Sequence, residues 1–217
     1  MTETNKDYFS KIYDRHTWQG QSLSGPGSDA DRTIEFRSLL ERFLSSQNIR
    51  SVVDLGCGDW SYGRLIDWGG VEYIGVDVVE SVIEKNQLQY AKSSVSFLCM
   101  DAARQALPQA DLLIVKEVLQ HLPTKDVLSI LAKAQSYPFA IFINDISHHI
   151  RGTWQQLWRW QPICPTNTDI EPGDYRLLSL RDPPFSIDAT HMLTYENKYK
   201  GLRWEKEVLL WTRTKDA

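Results

Sequence analysis

The sequence predicts an α/β protein with a doubly wound, mostly parallel sheet of about seven strands, the last one antiparallel, and helices on both faces. Short segments rich in Val, Ile and Leu alternate with amphipathic segments through residues 30–145, as in a parallel sheet covered by helices. A glycine turn at 56–58 directly follows the first apolar segment. Asp77 and Asp101 follow the second and third segments, so both carboxylates belong to the edge where parallel strands end together.

The elements of the first half follow one another in regular order. Strands are predicted at 52–55, 73–76, 95–99, 112–115 and 140–143. Helices are predicted at 7–15, at 36–44 with Ser28 as the cap, at 60–67, after the second strand and after Pro123. This order is that of repeated strand–helix units in a parallel sheet with helices on both faces.

The second half has a weaker pattern. After Asp145 the alternation stops, and a segment of this length without strand signals is typical of a lid or a binding loop. Residues 146–175, with a tryptophan-rich stretch at 152–160, are therefore predicted to be an insertion that forms a substrate lid. Two late strands are predicted at 175–180 and 207–212.

Composition excludes several classes of protein. A chain of 217 residues fits one domain, and its net charge of −4 disfavours a nucleic-acid partner, which needs Lys and Arg to neutralise phosphates. The three cysteines lack CxxC spacing, which indicates neither a disulfide framework nor a zinc knuckle. The polar start lacks a signal peptide, and no apolar run approaches the roughly 18 residues that span a bilayer. We expect a cytoplasmic protein without membrane contact.

The glycine turn predicts a site for an adenosine-bearing cofactor. Gly56 and Gly58 let the backbone approach a ligand closely, and Asp77 stands where a carboxylate accepts hydrogen bonds from ribose hydroxyls. The third glycine of the dinucleotide fingerprint is absent, with Ser61 in its place, and Asp59 would oppose a pyrophosphate. A zwitterionic methionine end tolerates Asp59 better.

Four motifs occur together, at 53–58, 75–77, 99–102 and 110–122. With them the chain resembles the class I S-adenosylmethionine-dependent methyltransferases, which have a Rossmann-like fold. The resemblance implies S-adenosylmethionine as cofactor and S-adenosylhomocysteine as product. It implies cofactor contacts by Asp54, Gly56, Cys57, Gly58, Asp77, Val78, Asp101, Ala102 and Lys116. Residues 29–217 would be the methyltransferase domain, and residues 1–28 an N-terminal helix with a flexible cap on the cofactor side.

The resemblance implies transfer of a methyl group and leaves the acceptor open. We expect an oxygen or nitrogen of a small molecule, a sugar or a natural-product intermediate, because the chain is acidic and has no appended recognition domain. A protein or nucleic-acid methyltransferase, a nicotinamide dinucleotide enzyme and a non-catalytic cofactor-binding module remain alternatives. A homodimer is also left open.

The candidate catalytic residues follow strands four and five. His121, Asp145, His148 and His149 carry groups that can remove a proton from a hydroxyl or amine. Glu117, Asn144 and Asp145 could instead hold a magnesium ion, which prefers oxygen ligands. We expect no metal, since polar loop residues account for the same pattern. Cys57 could instead be a packed turn residue without a functional role. Lys116 and Glu117 could likewise form a solvated ion pair.

Overall fold

A seven-stranded sheet forms the centre of the molecule. The computed structural model describes residues 4–150 and 166–213, with the side chains of 148–150, 199 and 202 outside that description. The strands are β1 (Ser51–Leu55), β2 (Glu72–Asp77), β3 (Val95–Cys99), β4 (Leu112–Lys116), β5 (Phe139–Ile150), β6 (Thr190–Tyr199) and β7 (Leu202–Thr212). Their order is β3-β2-β1-β4-β5-β7-β6, and β7 pairs antiparallel with both its neighbours. The predicted fold class is confirmed.

Four α-helices accompany the sheet: α1 (Asn5–Asp14), α2 (Ile34–Ser46), α3 (Glu80–Tyr90) and α4 (Thr124–Ala134). A capping box starts α1, because Thr4 and Asp7 each bond the other's backbone N–H. Pro123 directly precedes α4, where a missing N–H costs nothing. Helix α2 begins after Thr33, so the predicted cap at Ser28 is wrong; Ser28 ends a short 3₁₀ turn.

Two apolar layers cover the sheet, one on each face. Along β4, Leu113 packs in the layer that contains α1 and α4, whereas Leu112 and Ile114 pack in the layer that contains α2. All three side chains are at most 1% exposed. A strand buried on both faces must be apolar throughout, which explains why β4 was readable from the sequence.

The strands of the second half differ from their predicted positions. β5 continues to Ile150 rather than ending at residue 143, and β6 was not predicted at all. The predicted strand at 175–180 is wrong, since this segment forms only an isolated bridge between Thr166 and Leu177. The predicted helix at 60–67 is a single 3₁₀ turn, Gly63–Leu65.

Residues 18–29 cross the carboxyl edge of the sheet, and we call this segment the strap. Its last residue, Asp29, is 3% exposed and accepts hydrogen bonds from the backbone N–H of Gln21 (2.8 Å) and Ser22 (2.9 Å). Arg32 pairs with the other oxygen of Asp29 at 2.9 Å. The strap is therefore folded back on itself before α2 begins.

None of the helices in the described parts of the chain has both the length and the apolar character required to cross a membrane.

Candidate functional site

A cavity of about 350 Å³ opens at the carboxyl edge of the sheet, beside the adjacent strands β1 and β4. The chain reverses its direction of progress through the sheet at this pair, the place where open α/β sheets bind ligands. Leu55 and Gly56 line one side, and Lys116 to Val118 line the other. The strap lies over it, with Trp18 and Ser24–Ser28 in the wall.

The glycine turn after β1 is held in a conformation that few other residues adopt. Gly56 and Gly58 have φ values of +74° and +55°. A Cβ on Gly56 would lie 2.2 Å from Val118 Cγ2, and one on Gly58 would lie 2.0 Å from Ser24 Oγ. Glycine is thus required both by the backbone angle and by the close approach of neighbours.

Asp77 ends β2 inside the cavity wall and is 8% exposed. Its carboxylate accepts hydrogen bonds from the N–H of Gly58 (3.1 Å) and of Val79 (3.0 Å). Burial raises the pKa of this carboxyl, and the backbone N–H groups of Val79, Gly58 and Val78 oppose that rise. Each oxygen retains capacity for another donor, so Asp77 can bind ligand hydroxyls while it orients the glycine turn.

Val78, Asp101 and Ala102 line the same end of the cavity. The Asp101 carboxylate bonds the N–H of Ala103 at 3.0 Å and Arg104 at 2.5 Å. An apolar slot with one anchored carboxylate therefore lies next to Asp77, as the predicted order of motifs requires.

Asp54 and Cys57 are buried behind the wall and are not among the cavity-lining residues. Asp54 accepts hydrogen bonds from the hydroxyls of Tyr62 (2.9 Å) and Tyr73 (2.7 Å). Burial raises the Asp54 pKa to about 6, although both tyrosines act in the opposite direction. Burial also raises the pKa of the Cys57 thiol well above its usual value, which keeps it protonated. This geometry favours packing roles for both residues.

Asp59 has a role that the sequence did not indicate. Its carboxylate accepts hydrogen bonds from the strap, through Ser22 Oγ (2.9 Å), the N–H of Leu23 (2.8 Å) and Ser24 Oγ (3.1 Å). It also accepts one from Ser61 Oγ at 2.7 Å. Asp59 therefore fastens the strap to the glycine turn. No local sequence signal could reveal the contact with the strap, because its donors lie more than thirty residues before Asp59 in the chain.

Four buried charges lie at the opposite end of the cavity. Lys206 on β7 contacts Glu117 and Asp145 at 2.5 Å each, and Lys116 lies 3.5 Å from Glu117. The two lysines hold the pKa of Glu117 at about 2 against its burial. The two carboxylates raise the pKa of Lys206 above its ordinary value, although burial lowers it. Two cations thus balance two anions, which buried charges require.

Lys116 and Glu117 also support the strap. Lys116 Nζ donates to the carbonyl of Gly27 at 2.9 Å, and a Cβ on Gly27 would lie 1.7 Å from Glu117 Oε2. Glu117 has a φ of +56°, a strained angle for a residue with a side chain. Lys116, predicted to contact a cofactor, lines the cavity and holds the strap above it.

His121 lies in the cavity wall between the rings of Trp18 and Tyr175, with centroids 5.2 and 5.8 Å away. Its Nδ1 donates to the carbonyl of Asp174 at 2.8 Å, which leaves the lone pair of the neutral ring on Nε2. Burial lowers the pKa of His121, so the ring is neutral at pH 7. A neutral, oriented imidazole can accept a proton.

Asp145 lies in the wall but is fully engaged. Besides Lys206, Gln120 Nε2 and the hydroxyl of Tyr175 each donate to it at 3.1 Å. His148 and His149 have their backbone in β5, opposite Trp204 and Arg203, and their side chains lie outside the described residues. The tryptophan-rich stretch 152–160 lies outside them as well.

Asn144 is buried at 4% exposure and is not a cavity-lining residue. The space between Glu117 and Asp145 holds the Lys206 ammonium, in the place where a magnesium ion bound by these carboxylates would lie. Among residues 4–150 and 166–213, no group of three or more His, Cys, Asp and Glu side chains is arranged to hold a metal ion.

Asn197 and Trp204 complete the wall at this end of the cavity. They lie on β6 and β7, directly opposite each other in the strand pairing. Neither residue was selected from the sequence, because β6 was not predicted.

Comparison with known proteins agrees with this geometry. Residues 52–138 match the family described as "Methyltransferase domain". The carboxy-S-adenosyl-L-methionine synthase of Glaesserella parasuis serovar 5 (strain SH0165) is 32% identical over 103 residues, which cover 44% of this chain. The match spans 42% of that protein, less than half of its length.

Two solved structures share the fold over nearly the whole chain. One is magnesium protoporphyrin IX methyltransferase (ChlM) of Synechocystis PCC 6803 with bound S-adenosylhomocysteine. It has a TM-score of 0.60 and 16% identity, over 96% of this chain and 98% of that one. The other is the N-methyltransferase NodS of Bradyrhizobium japonicum WM9, also with S-adenosylhomocysteine. It has a TM-score of 0.61 and 13% identity, over 94% and 98% of the two chains. The motif-bearing strands, the cavity at their edge and the match of residues 52–138 to a methyltransferase domain agree with the resemblance to the class I S-adenosylmethionine-dependent methyltransferases.

Proposed function

We propose that this protein transfers the methyl group of S-adenosylmethionine to an oxygen or nitrogen of a small molecule, a sugar or a natural-product intermediate. One observation carries the proposal: a single cavity joins Asp77 and Asp101 at one end to His121, Asn197 and Lys206 at the other. A cofactor and an acceptor can therefore lie end to end beneath the strap.

The residues at the first end fit the cofactor. Asp77 would accept hydrogen bonds from the ribose hydroxyls, because each of its oxygens has spare capacity beside one backbone donor. Val78, Met100 and Ala102 offer an apolar slot for the adenine ring. Gly56 and the strap would enclose the methionine end. Bound S-adenosylmethionine supplies a methyl carbon already activated by a sulfonium.

The chain's contribution is then alignment, exclusion of water and removal of one proton. The acceptor's oxygen or nitrogen forms the new bond to the methyl carbon while the carbon–sulfur bond breaks. The electron pair of the broken carbon–sulfur bond stays on sulfur. His121 Nε2 is the group that would take the acceptor's proton, because Nδ1–H is engaged with Asp174. Asp145 is a poorer base, because Lys206 stabilises its ionised form.

A compact acceptor fits better than a macromolecule. A volume of about 350 Å³ lies near the lower end of the range for small-ligand pockets, about 300–1,000 Å³. The structural neighbour ChlM is named for methylation of magnesium protoporphyrin IX, and the neighbour NodS is named as an N-methyltransferase. Both names agree with the proposal of a compact acceptor. A cytoplasmic location and a homodimer stay predictions.

Calorimetry with S-adenosylhomocysteine tests the cofactor site. Wild type should bind it, and Asp77→Ala should lose at least tenfold in affinity while its circular dichroism spectrum shows that it remains folded at the temperature of the measurement. Asp111→Ala is the matched control, since Asp111 accepts its hydrogen bonds at the opposite edge of the sheet. Equal affinity of Asp77→Ala and wild type would contradict the assignment. Incubation with methyl-labelled cofactor and pooled small metabolites should then transfer label to a small molecule.

A further inference from the structure

We propose that Asn197 and Trp204 form an acceptor subsite that selects an uncharged polyol ring, as in a sugar. The inference rests on the proposed function and deepens it, since it names the residues and the chemical class of the acceptor. It is carried by an unpartnered buried amide, an adjacent aromatic face and a balanced set of charges in one wall of the cavity.

The two side chains stand next to each other. Asn197 of β6 and Trp204 of β7 are directly paired in the antiparallel register, and both line the cavity. Side chains at directly opposite positions lie on the same face of the sheet, with Cβ atoms about 4.5–5.5 Å apart. One ring-sized ligand can therefore touch both.

The amide of Asn197 lacks the partner that burial demands. The residue is 6% exposed, and its Nδ2 has no hydrogen-bond partner within the described parts of the chain. Buried polar side-chain atoms are nearly always paired, because an unpaired one costs about 1–3 kcal/mol. A carboxamide offers donors on nitrogen and an acceptor on oxygen. Two neighbouring hydroxyls of a polyol use both, whereas an apolar acceptor uses neither.

Trp204 supplies the other half of the recognition. No described aromatic ring stacks on its indole, and the side chain is partly exposed in the cavity wall. A sugar ring presents an apolar C–H face beside its hydroxyls, so it can cover the indole while its hydroxyls reach Asn197. Aromatic rings serve this purpose because they combine an apolar body with fixed shape.

The neighbouring charges favour an acceptor without charge. Lys206 is shared by Glu117 and Asp145, and Lys116 also lies near Glu117, so two cations meet two anions. An ionised acceptor group would find no uncompensated partner among these four and would lose hydration on entry. A neutral polyol suffers no such loss.

Saturation-transfer NMR tests the subsite with methyl α-D-glucopyranoside, methyl α-D-galactopyranoside and methyl α-D-mannopyranoside as probes. With S-adenosylhomocysteine bound, wild type should transfer saturation to at least one glycoside. Asn197→Leu and Trp204→Leu should each reduce that transfer at least fivefold without changing affinity for S-adenosylhomocysteine.

Matched controls separate recognition from folding. Asn144→Leu is the control for Asn197→Leu, because Asn144 is a buried asparagine outside the cavity wall. Trp211→Leu is the control for Trp204→Leu, because Trp211 lies further along β7 and does not line the cavity. Both control variants should keep the saturation transfer of wild type. If Asn197→Leu is destabilised, Asn197→Ala removes both the donor and the acceptor without adding bulk, and it should show the same loss.

The failures are distinguishable. Wild type that does not bind S-adenosylhomocysteine contradicts the proposed function. Wild type that binds S-adenosylhomocysteine but gives no transfer to any of the three glycosides overturns the subsite, as does transfer that both cavity variants retain. Transfer to catechol or indole in place of the glycosides overturns the polyol class.

Discussion

At the scale of single residues, the environment decides what a motif carboxylate does. Asp54 lies one residue before the end of β1 and Asp77 ends β2, and both are buried. Asp77 keeps backbone donors and faces the cavity, whereas two tyrosine hydroxyls occupy Asp54. The motif could be read from the sequence, but Tyr62 and Tyr73 could not be assigned to Asp54, because they approach it only in the folded chain.

Asp54 makes the pH dependence of stability testable. Its pKa of about 6 in the folded protein lies above the ordinary 3.8, so between about pH 4 and 6 the folded state holds a proton that the unfolded state has lost. Stability from this group is present below pH 4 and lost as the pH rises through 6. A difference of about two pKa units corresponds to about 3 kcal/mol.

Asp54→Asn removes this dependence, since an amide does not titrate. Between pH 4 and pH 7, the free energy of unfolding of the variant should improve relative to wild type by about 2–3 kcal/mol. Urea unfolding at both pH values measures it. Asp67→Asn changes an exposed position, and its free energy of unfolding should change with pH as that of wild type does. If the free energy of unfolding of Asp54→Asn changed with pH in the same way as that of wild type, protonation of Asp54 would be excluded as the cause of the pH dependence of wild-type stability.

His121 predicts a pH profile for methyl transfer. We propose the neutral ring as the base, and burial holds its pKa below the ordinary 6.5, so activity should be constant above pH 6.5 and fall only at lower pH. His121→Gln should lower kcat about 10²-fold with the acceptor found by label transfer. Affinity for S-adenosylhomocysteine should stay unchanged. A His121→Gln enzyme with wild-type kcat would assign His121 a packing role.

At the scale of elements, the strap is the part whose sequence misleads. Gly20 to Ser28 are polar and glycine-rich and were expected to form a flexible cap on the cofactor side, yet Ser22 and Ser28 are buried and the segment lines the cavity. Several of its polar groups are satisfied by Asp59 and Lys116. Sequence patterns report burial through apolar residues, so a segment buried through hydrogen bonds is not recognised.

Loosening the strap should speed cofactor exchange. Asp59→Asn keeps the side-chain shape but weakens the hydrogen bonds to Ser22, Leu23 and Ser24, which are worth about 1.5–3 kcal/mol each when the acceptor is charged. The release of S-adenosylhomocysteine should accelerate about tenfold, followed by stopped-flow tryptophan fluorescence. Asp67→Asn is the control. Unchanged release would mean that the strap does not limit exchange.

The strands show the same division between readable and unreadable elements. β1, β2 and β4 are largely buried on both faces, β3 is buried on one face, and all four were recognised from their apolar residues. β6 and the end of β5 carry polar and charged residues, because they extend past the core and pair as an antiparallel ribbon with β7. Asn197 and Trp204 lie on that ribbon. The end of the cavity beside Asp77 was therefore predictable, whereas the end beside Asn197 and Trp204 was not.

At the scale of the whole molecule, one sheet joins two apolar layers, so we expect a single cooperative unfolding transition. Leu113 and Ile114 are neighbours in β4 but pack in opposite layers, and both are at most 1% exposed. Leu113→Ala and Ile114→Ala should each lower the free energy of unfolding by about 2–5 kcal/mol. Leu88→Ala, at an 89% exposed position, should change it by less than about 0.5 kcal/mol.

The two layers also carry separate reporters. Trp18 packs against one layer, whereas Trp60 and Trp68 lie within the other, so tryptophan fluorescence senses both. Because both layers share β4, a cavity made in either should shift the whole transition, and urea curves followed by fluorescence and by far-UV circular dichroism should coincide. Two separated transitions in Leu113→Ala, with the layer around α2 still folded, would mean that the layers are independent and that the sheet does not couple them.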